Sequence, residues 1–60
     1  MRLYVSPMDA VVVEVTDDGR VRLDGEELSE PTLQERRAIL YAAHEEMAAL
    51  AELVAILERG

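Results

Sequence analysis

The sequence predicts an α+β fold in which an N-terminal β-hairpin precedes one long C-terminal α-helix. β-Branched and alternating apolar residues lie on both sides of an Asp-Asp-Gly turn within residues 10–23. Apolar residues then recur at helical spacing through residues 32–59, which contain no Gly or Pro. The chain of 60 residues makes one small domain, so we expect residues 1–28 to form the sheet part and residues 32–59 the helix.

The predicted hairpin joins a valine-rich strand, residues 10–15, to an alternating strand, residues 20–23. A two-residue turn would set apolar side chains opposite charged ones. A three-residue loop at residues 17–19, with its glycine in the left-handed conformation, gives one apolar and one polar face, so we predict that register. The predicted pairs are Val15 with Val21, Val13 with Leu23, and Glu14 with Arg22. The apolar face expected on the helix consists of Val11, Val13, Val15, Val21 and Leu23.

Two short segments flank the hairpin. Residues 2–5 alternate between polar and apolar types and end before Pro7, which cannot donate to a sheet ladder. They form either a third strand or an arm on the sheet edge. Residues 26–28 follow an Asp-Gly turn and are a candidate for a very short returning strand. An isolated hairpin is marginally stable in water, so the sheet must pack on the helix.

The helix has a clear predicted start. Thr32, with Glu35 three residues later, matches the capping box, and Pro31 disfavours helix in the residue before it. Ser29 as the cap, with Pro31 in the first turn, is the alternative. At ~1.5 Å per residue the helix is ~39 Å long, against ~20 Å for a short sheet. The helix should therefore extend well beyond the sheet.

The predicted helix is apolar along several rows. A row with a seven-residue period, Leu33 to Val54, lies beside a second such row, Arg36 to Leu57. A further apolar row, Ile39, Leu53 and Ile56, is expected to receive the hairpin. Because the chain has little else to cover the first two rows, we expect a dimer or bundle formed through the helix. The predicted interface residues are Leu33, Leu40, Met47, Leu50, Leu53, Val54 and Leu57.

Composition limits the other ways of stabilising so small a chain. There is no cysteine and one histidine, so disulfides and a structural zinc site within one chain are excluded. Oligomerisation or partner binding remains, because a core of this size supplies only ~3–5 kcal/mol. The longest apolar run, residues 47–57, is short against the ~20 residues of a membrane span, and no signal peptide is visible. We expect a cytoplasmic protein with no membrane partner.

The chain carries a net charge of −7, with thirteen acidic residues against six arginines. This balance is a poor match to nucleic acid or anionic membranes, where affinity comes from basic residues. A dimeric DNA-binding regulator would depend on Arg2, Arg20 and Arg22 from two copies, and we rank it last.

The sequence contains little material for catalysis. His44-Glu45-Glu46 lacks the second histidine of a zinc protease, because Ala48 occupies that position. The acidic turns lack calcium-loop spacing, and the chain has neither a nucleophile elbow nor a phosphate-binding glycine loop. We therefore expect no enzyme activity, no cofactor and no metal.

Two charged features are candidates for docking a partner. Four acidic residues lie close together in sequence: Asp24, Glu26, Glu27 and Glu30. They form a solvated loop or a surface for a basic protein partner. Arg36 occupies an apolar row of the helix, either as a frayed end that extends its charge into solvent or as a contact to a partner's acid that fixes register.

Three functions follow from these features. The first is a small, acidic, non-enzymatic module that self-associates through its C-terminal helix as a homo-oligomer. The alternative is an acidic inhibitor, antitoxin-like or phage-type regulatory protein, which binds and neutralises a protein partner. The DNA-binding regulator is third.

Overall fold

The computed structural model describes all 60 residues and contains a three-stranded antiparallel sheet followed by one helix. The strand order in the sheet follows the chain, which confirms the predicted α+β architecture of hairpin and long helix. The elements are β1 (Leu3–Val5), β2 (Ala10–Val15), β3 (Val21–Leu23) and α1 (Leu33–Arg59).

The segment before the hairpin is a strand, β1, and not a loose arm. It pairs antiparallel with β2, so that Leu3 lies opposite Val12 and Val5 opposite Ala10. A single 3₁₀ turn, Ser6–Met8, follows the strand and contains Pro7 near its start. The chain then reverses at Asp9, whose φ of 48° is left-handed. The strand ends where the proline removes a backbone donor, as the sequence predicts.

Residues 16–20 connect β2 to β3, and a hydrogen bond between Thr16 and Arg20 closes the predicted three-residue turn, 17–19, within them. The backbone N–H of Thr16 donates to the carbonyl of Arg20 at 2.9 Å, and that of Gly19 donates to Thr16 at 3.0 Å. Gly19 has a φ of 90°, a conformation that costs glycine little and other residues more. The predicted pairs of Val15 with Val21 and of Glu14 with Arg22 are both confirmed.

The predicted pair of Val13 with Leu23 is wrong. Leu23 pairs with Val12, because the register shifts by one residue between Val12 and Glu14. This bulge leaves Val13 unpaired and reverses which side chains face the helix in the part of β2 before it, whereas Val15 stays on the same side as its partner Val21. Val12 is therefore fully buried, whereas Val15 is 51% exposed. Val12 thus takes the inner position predicted for Val11 and Val13, whereas Val15 keeps its predicted side at the open end of the hairpin.

The chain after β3 does not form a strand at residues 26–28. It meets the sheet one residue later, where Ser29 forms an isolated antiparallel bridge with Val21. The two residues exchange both backbone hydrogen bonds at 2.8 Å. This bridge covers part of the outer edge of β3 and fixes the chain just before the helix.

The helix begins at the predicted cap. The Thr32 hydroxyl accepts from the N–H of Glu35 at 3.1 Å, and the Glu35 carboxylate accepts from the N–H of Thr32 at 2.8 Å. The reciprocal bonds form the capping box, so the alternative cap at Ser29 is not used.

Substitution of the helix cap should destabilise the protein measurably. Thr32→Ala removes the hydroxyl that accepts from Glu35 and should lower the free energy of unfolding by about 1 kcal/mol. Thr32→Ser, which retains the hydroxyl, is the matched control. Urea unfolding followed by circular dichroism measures the difference, and equal midpoints for the two variants would contradict the role of the cap.

The core lies between the sheet and the first half of α1. Its buried residues all come from the strands: Leu3, Val5, Val12 and Val21. The helix contributes partly buried residues: Ala38, Ile39, Ala42 and Ala43. Leu53 and Ile56, which were expected to receive the hairpin, are 50% and 48% exposed. Strands of three to six residues are too short to reach them.

Candidate interaction surface

The second half of α1 extends beyond the sheet. No side chain in residues 44–60 is buried, and the last residues that border the sheet part are Glu45 and Glu46. We call residues 47–59 the overhang. The molecule measures 42 × 21 × 18 Å, so its length is that of the helix. The overhang has no other part of its own chain against it.

The overhang is apolar over much of its surface. Its six large apolar side chains are between 48% and 69% exposed: Met47, Leu50, Leu53, Val54, Ile56 and Leu57. Their spacings of three and four residues place most of them on one broad face of the helix. A contiguous exposed apolar surface of this kind is typical of an interface with another chain.

The predicted interface residues are all exposed, including the two that lie in the sheet-bearing half of the helix. Leu33 is 61% exposed and Leu40 is 51% exposed. With Met47, they continue the row with a seven-residue period. We define the apolar stripe by the two adjacent rows: Leu33, Arg36, Leu40, Ala43, Met47, Leu50, Val54 and Leu57. Its alternating steps of three and four residues match the pattern of helices that pair along their length.

A groove separates the hairpin from the first half of α1 beside this stripe. Its apolar wall comes from Val15 and Val21 of the sheet and from Ile39 and Leu40 of the helix. Arg36 also lines it. We call this open space, of about 490 Å³, the hairpin groove. It brings a predicted interface residue, Leu40, together with a predicted docking residue, Arg36.

The hairpin groove has an acidic rim in the loop between β2 and β3. Asp17, Asp18 and Gly19 form it. The Thr16 hydroxyl donates to the carboxylate of Asp18, and Arg20 lies 3.4 Å from that carboxylate. The hydrogen bond, with the cation as a smaller contribution, holds the pKa of Asp18 below its ordinary value. The carboxylate of Asp18 is therefore already bonded to Thr16 and Arg20 of its own loop.

A second open groove lies on the other side of the helix and was not predicted. Tyr4 and Pro7 line it from the sheet part, and Tyr41, Glu45 and Glu46 line it from the helix. The Tyr4 hydroxyl donates to the Asp9 carboxylate at 3.0 Å, which raises the pKa of Tyr4 above its ordinary value. The sequence signal for this groove is weak, because the two tyrosines are 37 positions apart and only the fold brings them together.

The three arginines of the sheet part are each paired with an acid. Arg2 lies 3.1 Å from Asp24, and Arg22 lies 3.0 Å from Glu14 across the hairpin. Arg20 is paired with an acid of its own loop, as described above. A basic face for DNA, which would need Arg2, Arg20 and Arg22 free, is therefore largely neutralised within the chain.

The predicted acidic docking residues are exposed and lie away from the stripe in sequence. Asp24 pairs with Arg2, whereas Glu26, Glu27 and Glu30 form no ion pair. The structure does not bring the cluster to the hairpin groove. His44 is exposed on the helix, and no group of three or more His, Cys, Asp or Glu side chains is arranged to hold a metal ion. No helix has the length and apolar character needed to cross a membrane.

Comparisons with known proteins give no further information about this surface. Neither the family models, nor the curated proteins, nor the solved structures contain a match to this chain. We therefore infer function from the exposed helix, the hairpin groove and the charges around them.

Proposed function

We propose that this protein is a small, acidic, non-enzymatic module that self-associates through the apolar stripe of α1. The single observation that carries the proposal is the exposure of the overhang, where six large apolar side chains have no cover from their own chain. In water such a surface favours association. A second copy is the simplest cover, because two-fold dimers are the commonest closed assembly.

The size of the exposed surface supports this proposal. Full burial of one Leu, Val, Ile or Met side chain contributes about 1.5–3 kcal/mol. The overhang side chains retain roughly half of their exposure. Covering the four that lie in the stripe, Met47, Leu50, Val54 and Leu57, in each of two copies therefore contributes on the order of 10 kcal/mol. This figure is comparable with the ~4–15 kcal/mol lost in rigid-body freedom on association. Contacts outside the overhang would add to the favourable contribution from burial.

The small core supports the same proposal. Only four residues are buried, and Val5 and Val12 alone are fully enclosed. A core of this size contributes little net stability to an isolated chain of this length, which also lacks disulfides. Association would supply stability that the monomer lacks, since any partner that binds only the folded state stabilises it.

The second candidate function is an acidic neutraliser that covers the stripe with a different chain. The exposed and unpaired Glu26, Glu27 and Glu30 favour it, since they would raise the rate of encounter with a basic protein. In that case the isolated protein would have no second copy on its helix.

The mass of the purified protein in solution separates the two candidates. Self-association predicts a mass that rises with concentration to at least twice the 6.7 kDa of the chain in light scattering. The neutraliser predicts a monomer whose helix is covered only when its partner is added. A monomeric mass across the whole concentration range would therefore reject self-association.

A further inference from the structure

We infer that two copies pair antiparallel, with the C-terminal end of each helix lying in the hairpin groove of the other. This inference rests on the proposed self-association and specifies its geometry. The occupant of the groove is the end of a second copy's α1, with Val54, Leu57 and Glu58 as its contacting residues. Three features of the structure lead to this arrangement.

The first feature is the position of the groove beside the stripe. Leu40 and Arg36 belong both to the stripe and to the groove wall. A helix that packs along the stripe must therefore pass through the groove and meet Val15 of the sheet. Val15 and Leu40 are both 51% exposed, although a fully covered core would bury them. The groove carries apolar side chains on both walls, Val15 and Val21 opposite Ile39 and Leu40, which suits the apolar end of α1.

The second feature is the charge at the two ends of the stripe. Arg36 interrupts the stripe near its start, and Glu58 lies beside its last residue, Leu57. Neither forms an ion pair within the chain. With Met47 near the two-fold axis, an antiparallel pair brings Arg36 within about one turn of the partner's Glu58. A parallel pair would instead place Arg36 beside the partner's Arg36 and Glu58 beside the partner's Glu58, so that like charges meet.

The third feature is the exposure of the overhang itself. In an antiparallel pair, the overhang of one copy covers the sheet-bearing half of the other, and the two halves complement each other along the stripe. The helices then overlap over the ~33 Å between positions 36 and 58. Because a bulky sheet stands on one side of each helix, this alignment also keeps the two sheets at opposite ends of the dimer. A parallel pair would bring both sheets to the same end.

Disulfide trapping tests the alignment, because the chain has no cysteine of its own. Chains with Arg36→Cys and isotopically labelled chains with Glu58→Cys are refolded together and oxidised under mild conditions. The antiparallel pair should give the mixed 36–58 disulfide. Each variant alone should give none, since like positions are then ~33 Å apart and a disulfide needs its Cα atoms within about 7 Å. Both positions are exposed, so the substitutions should not disturb the fold.

A charge exchange provides the second readout. Arg36→Glu and Glu58→Arg should each weaken the dimer about tenfold, because each replaces two attractive contacts by repulsive ones. The double variant should recover the affinity of the original protein. Recovery is expected only if position 36 meets position 58.

The outcomes distinguish this inference from the proposed function. A dimer that forms 36–36 or 58–58 disulfides, or that forms no 36–58 disulfide, overturns the antiparallel alignment and leaves self-association standing. A charge-exchanged double variant that is weaker than either single variant also overturns it. A monomeric parent protein in light scattering rejects the self-association on which the inference rests.

Discussion

Leu50→Asp is expected to convert the associated protein into a monomer of 6.7 kDa. Leu50 lies in the middle of the overhang, 52% exposed and without cover from its own chain. The substitution would bury a carboxylate twice in a symmetric interface, at a cost of several kcal/mol for each copy. Light scattering measures the mass, and circular dichroism measures the melting temperature, which should fall together with the mass.

Ala48→Asp is the matched control for Leu50→Asp. Ala48 lies on the same helix, three residues after Glu45 and four before Glu52, and therefore in a polar row. The two variants add the same charge at nearly the same height along the helix. Ala48→Asp should leave the mass unchanged. If Leu50→Asp has the same mass and melting temperature as the original protein, then the overhang is not the interface.

The second large effect is expected at Val12. The side chain is fully buried between the sheet and the helix, so Val12→Ala removes two methyl groups and leaves a cavity. We expect a loss of about 2–3 kcal/mol in the free energy of unfolding, which is a large part of what so small a core contributes. The melting temperature should fall by roughly 15–25 °C, as measured by circular dichroism at a fixed protein concentration.

Val13→Ala is the control for the Val12 substitution and tests the bulge in β2. Val13 is the unpaired residue of the bulge and is only partly buried. Its replacement should cost under ~1 kcal/mol, which corresponds to the strand preference of valine and a small loss of contact. A hairpin without the bulge would place Val13 inside and Val12 outside, and would therefore predict a larger loss of stability for Val13→Ala than for Val12→Ala. A larger effect at Val13 than at Val12 would therefore contradict the observed register.

Local features of the fold were predictable because their determinants lie within a few residues of each other. The capping box needs only Thr32 and Glu35, and both of its hydrogen bonds form. The three-residue loop follows from the position of Gly19 and from the match of apolar with apolar side chains near the turn. The helix itself follows from composition and spacing over 27 residues.

The bulge in β2 was not predictable by the same reasoning. It depends on β1, because Val12 must lie opposite Leu3 on one side and Leu23 on the other. Alternation within residues 10–15 cannot decide between faces, since four of the six residues there are valine. The contact with a strand from another part of the chain selects the inner residue.

The candidate surface was predicted in outline, and the structure changed its details. The seven predicted interface residues are all exposed on the helix. The spacing of Ile56 from Ile39 and Leu53 suits one helical row, and this predicts that Ile56 contacts the hairpin. Spacing along the helix carries no information on where the sheet ends, and Ile56 lies beyond it. The hairpin groove was not predicted, because Arg36 and Leu40 approach Val15 only through the packing of helix on sheet.

The mass of the purified protein across a dilution series tests the central claim most directly. Multi-angle light scattering from about 1 μM to 1 mM spans the dissociation constants expected for interfaces that contribute ~4–8 kcal/mol at the 1 M standard state. Self-association through α1 predicts a mass that reaches twice 6.7 kDa within this range and falls on dilution below the dissociation constant. A mass of one chain at every concentration, with the helix fully formed by circular dichroism, would contradict it.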